Sequence, residues 1–216
     1  MFHAQKNSAL AKLQERLKLY GYKTTMIIVL KKMIKTIFGI SWQQYYLMSN
    51  MLSPESNNSN KFYVRELIMD DYDNVNWHSF MSAPKEIIYK KRFNLPYAKA
   101  YGVFIDNNLA YSTWIVQGYI IIRDCFVYKV SPQAGFSLDT YCLPQYRRMG
   151  IHNFMNDWTI NAMKEHGMNK YYVVVLSYNI PAVKTQLKSG SQIERTFYIW
   201  SFRKKSYCTL RLPDYE

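Results

Sequence analysis

Cysteine is scarce in this chain and poorly spaced for chemistry. The 216 residues include three, Cys125, Cys142 and Cys208, far apart and without a Cys-x-x-Cys pair. Neither a disulfide framework nor a zinc site is therefore indicated, and a reducing compartment is the simpler reading. The four histidines, His3, His78, His152 and His166, are too scattered to suggest metal ligation, so no metal is expected. Long apolar runs are missing as well. The longest near the start, Met26 to Leu30, falls far short of the roughly twenty residues that cross a bilayer. No secretory signal is visible, because the first 25 residues are polar and basic without an apolar core. A cytoplasmic protein is expected on these grounds. Acidic residues are few: 15 against 28 Lys and Arg, a net charge of +13.

That charge is unevenly spread. Residues 1–53 hold eight basic residues and one acid, Glu15, whereas residues 54–216 hold twenty and fourteen. Abundant Lys, Asn, Ile and Tyr fit an AT-rich coding sequence, which competes with local function as an explanation. Ser8 to Met51 reads as two basic helical segments, broken near Gly21 and Gly39. Met26, Ile27, Leu30, Met33, Ile34, Ile37 and Phe38 recur at helical spacing, with Lys31, Lys32 and Lys35 on the other side. Trp42, Tyr45 and Tyr46 follow. Such a helix can pack on the protein's own core, bind a partner, or lie on an anionic membrane surface through residues 26–46. A peripheral position on the inner membrane surface thus stays open beside a freely cytoplasmic one.

Three regions are expected: a basic helical extension over 1–53, a polar linker over 54–60 (Pro54-Glu55-Ser56-Asn57-Asn58-Ser59-Asn60), and a domain over 61–216. Within the domain, Phe62 to Met69 reads as a strand. Tyr101 to Ile105 and Leu109 to Val116 flank a hairpin turn at Asp106-Asn107-Asn108. Tyr119 to Val130 reads as further strand or loop, and Phe136 to Leu143 and Tyr171 to Leu176 read as strands. Ile193 to Phe202 and Tyr207 to Leu212 close the chain around the basic turn Arg203-Lys204-Lys205.

The most informative stretch runs from Asp139 to Gly190. A strand leads into Leu143-Pro144-Gln145-Tyr146-Arg147-Arg148-Met149-Gly150-Ile151-His152, which opens directly onto a helix. A basic, glycine-containing turn at a helix N-terminus holds phosphate, because its N–H groups point outward and the helix dipole favours negative charge. A second apolar strand, Asn179-Ile180-Pro181-Ala182, a short helix and Gly190 follow. At these residues the chain resembles the GCN5-related N-acetyltransferases (GNAT), whose core reads strand, (Gln/Arg)-x-x-Gly-x-(Gly/Ala), helix, strand, Asn-x-x-Ala, helix, Gly. The resemblance is about fifty residues deep, and the element order of residues 61–212 agrees with it. It implies an α+β fold with a mixed, mostly antiparallel central sheet flanked by helices, here carrying a basic N-terminal helical extension.

By this resemblance, Arg147, Arg148, Met149, Gly150, Ile151 and His152 would hold the pyrophosphate of acetyl-CoA, the donor expected by default. The backbone of Tyr141, Cys142 and Leu143 would pair with its pantetheine amides. Asn179 would contact the pantetheine arm, with Ala182 as the small residue beside it; Asn179 also suits the N-cap of the next helix. Asp139, read onto the strand face of Ser137, Tyr141 and Leu143, is the candidate general base or the anchor for an amine acceptor. Two positions depart from the family. His152 stands where Gly or Ala is usual, and Gln186 where a Tyr often protonates the leaving thiolate; Gln cannot act as an acid. The expected activity is transfer of an acetyl group from acetyl-CoA to an amine by direct attack. The alternative is a catalytically silent CoA-binding or protein-interaction module. Nucleic acid is not expected as a partner, since no reader motif accompanies the basic charge.

Overall fold

The structure is a computed structural model that describes residues 9–52, 61–73, 83–123, 125–202 and 205–213. The whole of the expected linker, 54–60, and the turn residues Arg203 and Lys204 lie outside the described residues. In chain order the first elements are α1 (Ala9–Phe38), β1 (Ile40–Met51), β2 (Val64–Glu66), α2 (Met69–Asp73), α3 (Ala83–Phe93), β3 (Ala98–Ile105) and β4 (Asn108–Gln117). There follow β5 (Tyr119–Ile122), β6 (Phe126–Lys129), β7 (Ala134–Cys142) and a 3-10 turn (Pro144–Tyr146). The last are α4 (Ile151–Glu165), β8 (Lys170–Leu176), α5 (Ile180–Lys188), β9 (Gln192–Phe202) and β10 (Lys205–Cys208). The chain divides into two compact units, residues 1–47 with 175–211 and residues 48–174 with 212–216.

In the first unit α1 is kinked at Gly21, which takes φ 74° and ψ 172°. It ends where Gly39 adopts φ 68° and donates its N–H to Lys35 O at 3.0 Å. Glycine fits here because a left-handed residue closes the last turn without a Cβ clash. The helical reading of residues 40–51 is corrected: they form β1, in which Ile40, Trp42, Tyr45 and Tyr46 act as strand formers once Gly39 has stopped the helix. β1 lies beside β9, with the Tyr45 and Phe197 rings 5.4 Å apart and those of Trp42 and Trp200 6.2 Å apart. β9 pairs antiparallel with β10. Its alternation is clean: Phe197 and Ile199 are buried while Tyr198, Trp200 and Phe202 face water.

The second unit carries the strand order β2-β3-β4-β7-β8. The pairs are antiparallel except β7–β8, which runs parallel from Ala134↔Lys170 to Ser137↔Val173. The expected hairpin joins β3 to β4 through Asp106 (φ 49°) and Asn107 (φ 60°), the doubly left-handed two-residue turn that Asp and Asn tolerate. Helix α4 covers one sheet face through Ile151, Met155 and Met163, which meet Tyr101, Val103, Tyr111 and Ile115. That approach is close. A Cβ on Gly135 would come within 2.6 Å of the sulfurs of both Met163 and Met168. The opposite face holds an aromatic cluster of Tyr72, Tyr89, Phe93 and Trp114, with ring separations of 4.9 to 5.9 Å. These two layers fix β7 and the N-terminus of α4.

A bulged strand and a basic turn form the candidate functional site

β7 is not a regular strand. Its register against β4 shifts between Ser112↔Tyr141 and Trp114↔Leu138, so Thr113 alone faces both Asp139 and Thr140. Asp139 takes φ 49°, a left-handed conformation at the bulged position. A non-glycine residue held there stores strain, and strain of this kind clusters at functional sites.

The bulge resets which side chains share a face. Thr140 Oγ1 lies 2.9 Å from Thr113 Oγ1, and Ser137 Oγ lies 3.2 Å from the same atom. Thr140 therefore joins Ser137 on the α4 side. The simple alternation that grouped Asp139 with Ser137 is corrected, because one extra residue inverts the parity; Asp139 remains on the side of Tyr141. There Arg92 Nη1 of α3 donates to Asp139 Oδ2 at 2.7 Å. The Arg92 side chain is 4% exposed, and its guanidinium carbon sits 5.4 Å from the Tyr89 ring and 5.5 Å from that of Trp114. Asp139 is 22% exposed, so its carboxylate reaches solvent from an otherwise enclosed pair. Nearby, Tyr72 Oη bonds Ser112 Oγ at 2.9 Å, and burial raises the Tyr72 phenol well above its ordinary range.

The strand end offers one peptide outward. Leu143 N–H donates to Ala110 O at 3.0 Å, so it belongs to the β4 ladder. By antiparallel alternation the peptide groups of Cys142 then point away from β4, whereas Tyr141 opposite Ser112 points towards it. Cys142 O accepts from Arg147 Nε at 3.2 Å, and the Arg147 guanidinium lies 5.9 Å from the Tyr141 ring. The thiol of Cys142 is pushed up by burial, with Arg147 pulling the other way. A raised thiol is a poor nucleophile, which argues against covalent chemistry there.

The turn that follows has the expected strand-to-helix setting. Tyr146 N–H and Arg147 N–H close onto Leu143 O (3.0 Å) and Pro144 O (3.3 Å). Arg148 then takes φ 69°, and Gly150, the N-cap of α4, takes φ 81° without a side-chain cap. The first intrahelical bond is Phe154 N–H to Gly150 O at 3.1 Å, which leaves the N–H groups of Ile151, His152 and Asn153 in the uncapped first turn. Met149 and Arg148 are exposed and Ile151 is buried. Space above Gly150 is open: a Cβ there would meet only Lys61 Nζ, at 3.9 Å.

His152 resolves its departure from the family pattern by turning inward. Its Nδ1 lies 3.2 Å from Tyr111 Oη, and burial lowers its pKa below the usual histidine range. Tyr111 is itself pushed up by burial. The imidazole is thus engaged through Nδ1 with Tyr111 rather than left free at the turn.

Asn179, Ala182 and Gln186 belong to the first unit. Asn179 is the N-cap residue of α5, yet its carboxamide makes no capping bond. Ala182 is half-buried in the first turn. Gln186 is buried, and its Oε1 accepts from Ser191 Oγ at 3.2 Å, so it braces the turn after α5. Two residues of the site escaped sequence reasoning. Arg92 ends an unremarkable basic run, Lys90-Lys91-Arg92, and Lys61 precedes a strand at the edge of the polar linker. Neither carries a motif. Among the described residues no group of His, Cys, Asp and Glu could hold a metal ion.

With the geometry in place, comparison with solved structures gives the fold. A protein from Novosphingobium aromaticivorans described as a GNAT-family acetyltransferase is similar to this chain at a TM-score of 0.53 and 16% identity, over 74% of this chain and 63% of that one. A GCN5-related glucosamine N-acetyltransferase region of a fungal multi-domain β-N-acetylglucosaminidase matches at a TM-score of 0.54 and 11% identity, over 82% of this chain and 23% of that one. A conserved protein of unknown function from Staphylococcus epidermidis matches at 0.52 and 12%, over 81% and 66%. The chain thus spans less than two thirds of the length of these proteins. No family profile matches the sequence. No curated protein matches it either. The fold is that of the GCN5-related N-acetyltransferases: mixed α+β, mostly antiparallel, with flanking helices.

Proposed function

We propose that the protein is an acyl-CoA-dependent N-acyltransferase that moves an acetyl group from acetyl-CoA to an amine. One observation carries the reading. In this fold, a strand bulged at Asp139 runs into a turn where Gly150 opens an uncapped helix N-terminus beneath Lys61 and beside Arg148. Cations gathered at the positive end of a helix repel one another and its dipole, and a bound diphosphate relieves both. The residues fit the group. Backbone N–H groups of Gly150, Ile151 and His152 hold the pyrophosphate, with Met149 lining the turn and Arg147, Arg148 and Lys61 supplying charge. Cys142 presents the outward peptide for a pantetheine amide, and Tyr141 and Leu143 flank it.

Acetyl-CoA supplies an activated thioester. The amine lone pair attacks its carbonyl carbon, a C–N bond forms, the C–S bond breaks, and the electron pair leaves on sulfur. Asp139 takes a proton from the acceptor ammonium before attack, directly or through water, or anchors a cationic acceptor, and the second N–H proton lost as the amide forms passes to solvent; Arg92 positions Asp139. Buried Gln186 cannot protonate the thiolate, so solvent does. That same Gln186 favours the second reading, a module that binds CoA without turnover.

The test is thiol release from acetyl-CoA by the purified full chain, measured against amino sugars, polyamines and peptide amines. Amine-dependent release supports the enzyme. CoA binding with no release above hydrolysis across the panel favours the silent module.

A further inference from the structure

The second half of α1 keeps its apolar stripe in water. Met26, Ile27, Leu30, Met33, Ile37 and Phe38 are all exposed, with Ile27 at 53%, Leu30 at 57% and Ile37 at 65%. At 100° per residue these positions and Tyr22 cover roughly 160° of arc. The buried contact of this segment is instead Thr25, with Ile28 and Val29 half-buried. Packing against the protein's own core, one of the alternatives for this helix, is therefore not how its apolar face is used among the described residues. A shallow apolar hollow of about 230 Å³ lies along it between Val29, Lys32, Met33, Thr36 and Ile37.

Within the same unit the exposed surface continues onto the sheet. Lys31 Nζ sits 5.3 Å over the Trp42 ring, and Trp42 stacks on Trp200. Tyr207 pairs with Trp200 across the β9–β10 register, and both are exposed, as are Tyr198 and Phe202. The charge is of one sign. Lys31, Lys32 and Lys35 lie outside this arc, Lys23 falls within it near its N-terminal end, and no acidic residue occurs between Glu15 and Glu55.

We infer that this face docks on an anionic lipid bilayer, with the α1 stripe in the headgroup boundary and the aromatic residues at its edge. Three features point to lipid. The stripe is apolar without partner, its flanking charge is purely cationic, and Trp and Tyr sit where interfacial side chains are favoured. A second copy of the chain would bring like-charged faces together, which opposes self-association. No described helix is long and apolar enough to cross a membrane, so the contact is peripheral. The inference is independent of acyl transfer.

Flotation of the full chain with phosphatidylcholine vesicles, with and without phosphatidylglycerol, tests it. Binding to the anionic vesicles is expected, with a loss of roughly tenfold or more when salt rises from about 0.05 to about 0.5 M, as lysine contacts are screened. Vesicles of phosphatidylcholine alone should bind at least tenfold more weakly. The double variant Leu30→Glu with Ile37→Glu should abolish flotation and leave the melting temperature and CoA binding unchanged, since both side chains already face water. Absence of flotation, or equal binding to both vesicles, overturns the inference. So does a lipid-free dimer in sedimentation that the same double variant dissociates, because the face would then be covered by a second copy.

Discussion

Arg92 and Asp139, 47 residues apart, meet at 2.7 Å across the second unit, and they join the left-handed residue of the β7 bulge to the end of α3. The guanidinium is buried against two aromatic rings while the carboxylate keeps an open side. Their geometry separates two roles that a single substitution confounds. Asp139→Asn keeps an oxygen for Arg92 and removes the charge, so acetyl transfer should fall by one or more orders of magnitude while CoA affinity holds. Arg92→Met strips the pair from its buried side and should cost on the order of 3 kcal/mol of stability. Steady-state rates and thermal melts of both variants check this. Full activity in Asp139→Asn removes Asp139 from base and anchor roles together.

The His152–Tyr111 contact predicts acid sensitivity. Burial lowers the His152 pKa in the folded chain relative to its ordinary value of 6.5. The unfolded chain then takes up the proton first. This contribution to stability is complete above about pH 6.5 and is lost as pH falls through that value towards the lower folded pKa. The melting temperature should thus drop between pH 7.5 and 5.5, and His152→Gln should show a smaller drop. An equal drop in the variant would mean that other groups carry the acid sensitivity.

Lys61 and Arg148 should act on the cofactor through charge. Each, changed to Ala, should weaken CoA binding by roughly three- to tenfold and flatten its salt dependence. Calorimetric titrations at two salt concentrations decide this. Dephospho-CoA, titrated alongside, separates contacts to the 3′-phosphate from contacts to the diphosphate.

Gly135 tests the packing that positions α4. A Cβ there would stand 2.6 Å from the sulfurs of Met163 and Met168. Methionine side chains can move, so Gly135→Ala should cost about 1–3 kcal/mol rather than prevent folding. Chemical denaturation measures it.

Element order was legible in the sequence because each element carries a local signal: the Asp106-Asn107 turn, the Gly150 stop before α4, the Asn179-Ile180-Pro181 start of α5. What was not legible is non-local. Trp42, Tyr45 and Tyr46 follow a helical stripe, and only their pairing beside β9 makes them strand. The β7 bulge has no glycine to announce it; Asp139 takes the left-handed position, and that one residue reverses the face read from alternation. Arg92 and Lys61 reach the site through tertiary packing alone. His152 departs from the family's Gly or Ala, and the sequence does not reveal that its ring meets Tyr111.

The central claim is that the turn from Arg147 to His152 holds the CoA diphosphate, and calorimetric titration of CoA into the intact chain and into Gly150→Val tests it most directly. Room exists for the new side chain, whose Cβ would meet only Lys61 Nζ at 3.9 Å, so the cost to the fold is the left-handed strain at φ 81°, roughly 1–2 kcal/mol. The native chain should bind CoA, and the folded variant should bind it at least tenfold more weakly as its side chain covers the uncapped N–H groups. Equal affinity in a folded Gly150→Val chain, or no CoA binding by the native one, would contradict the account.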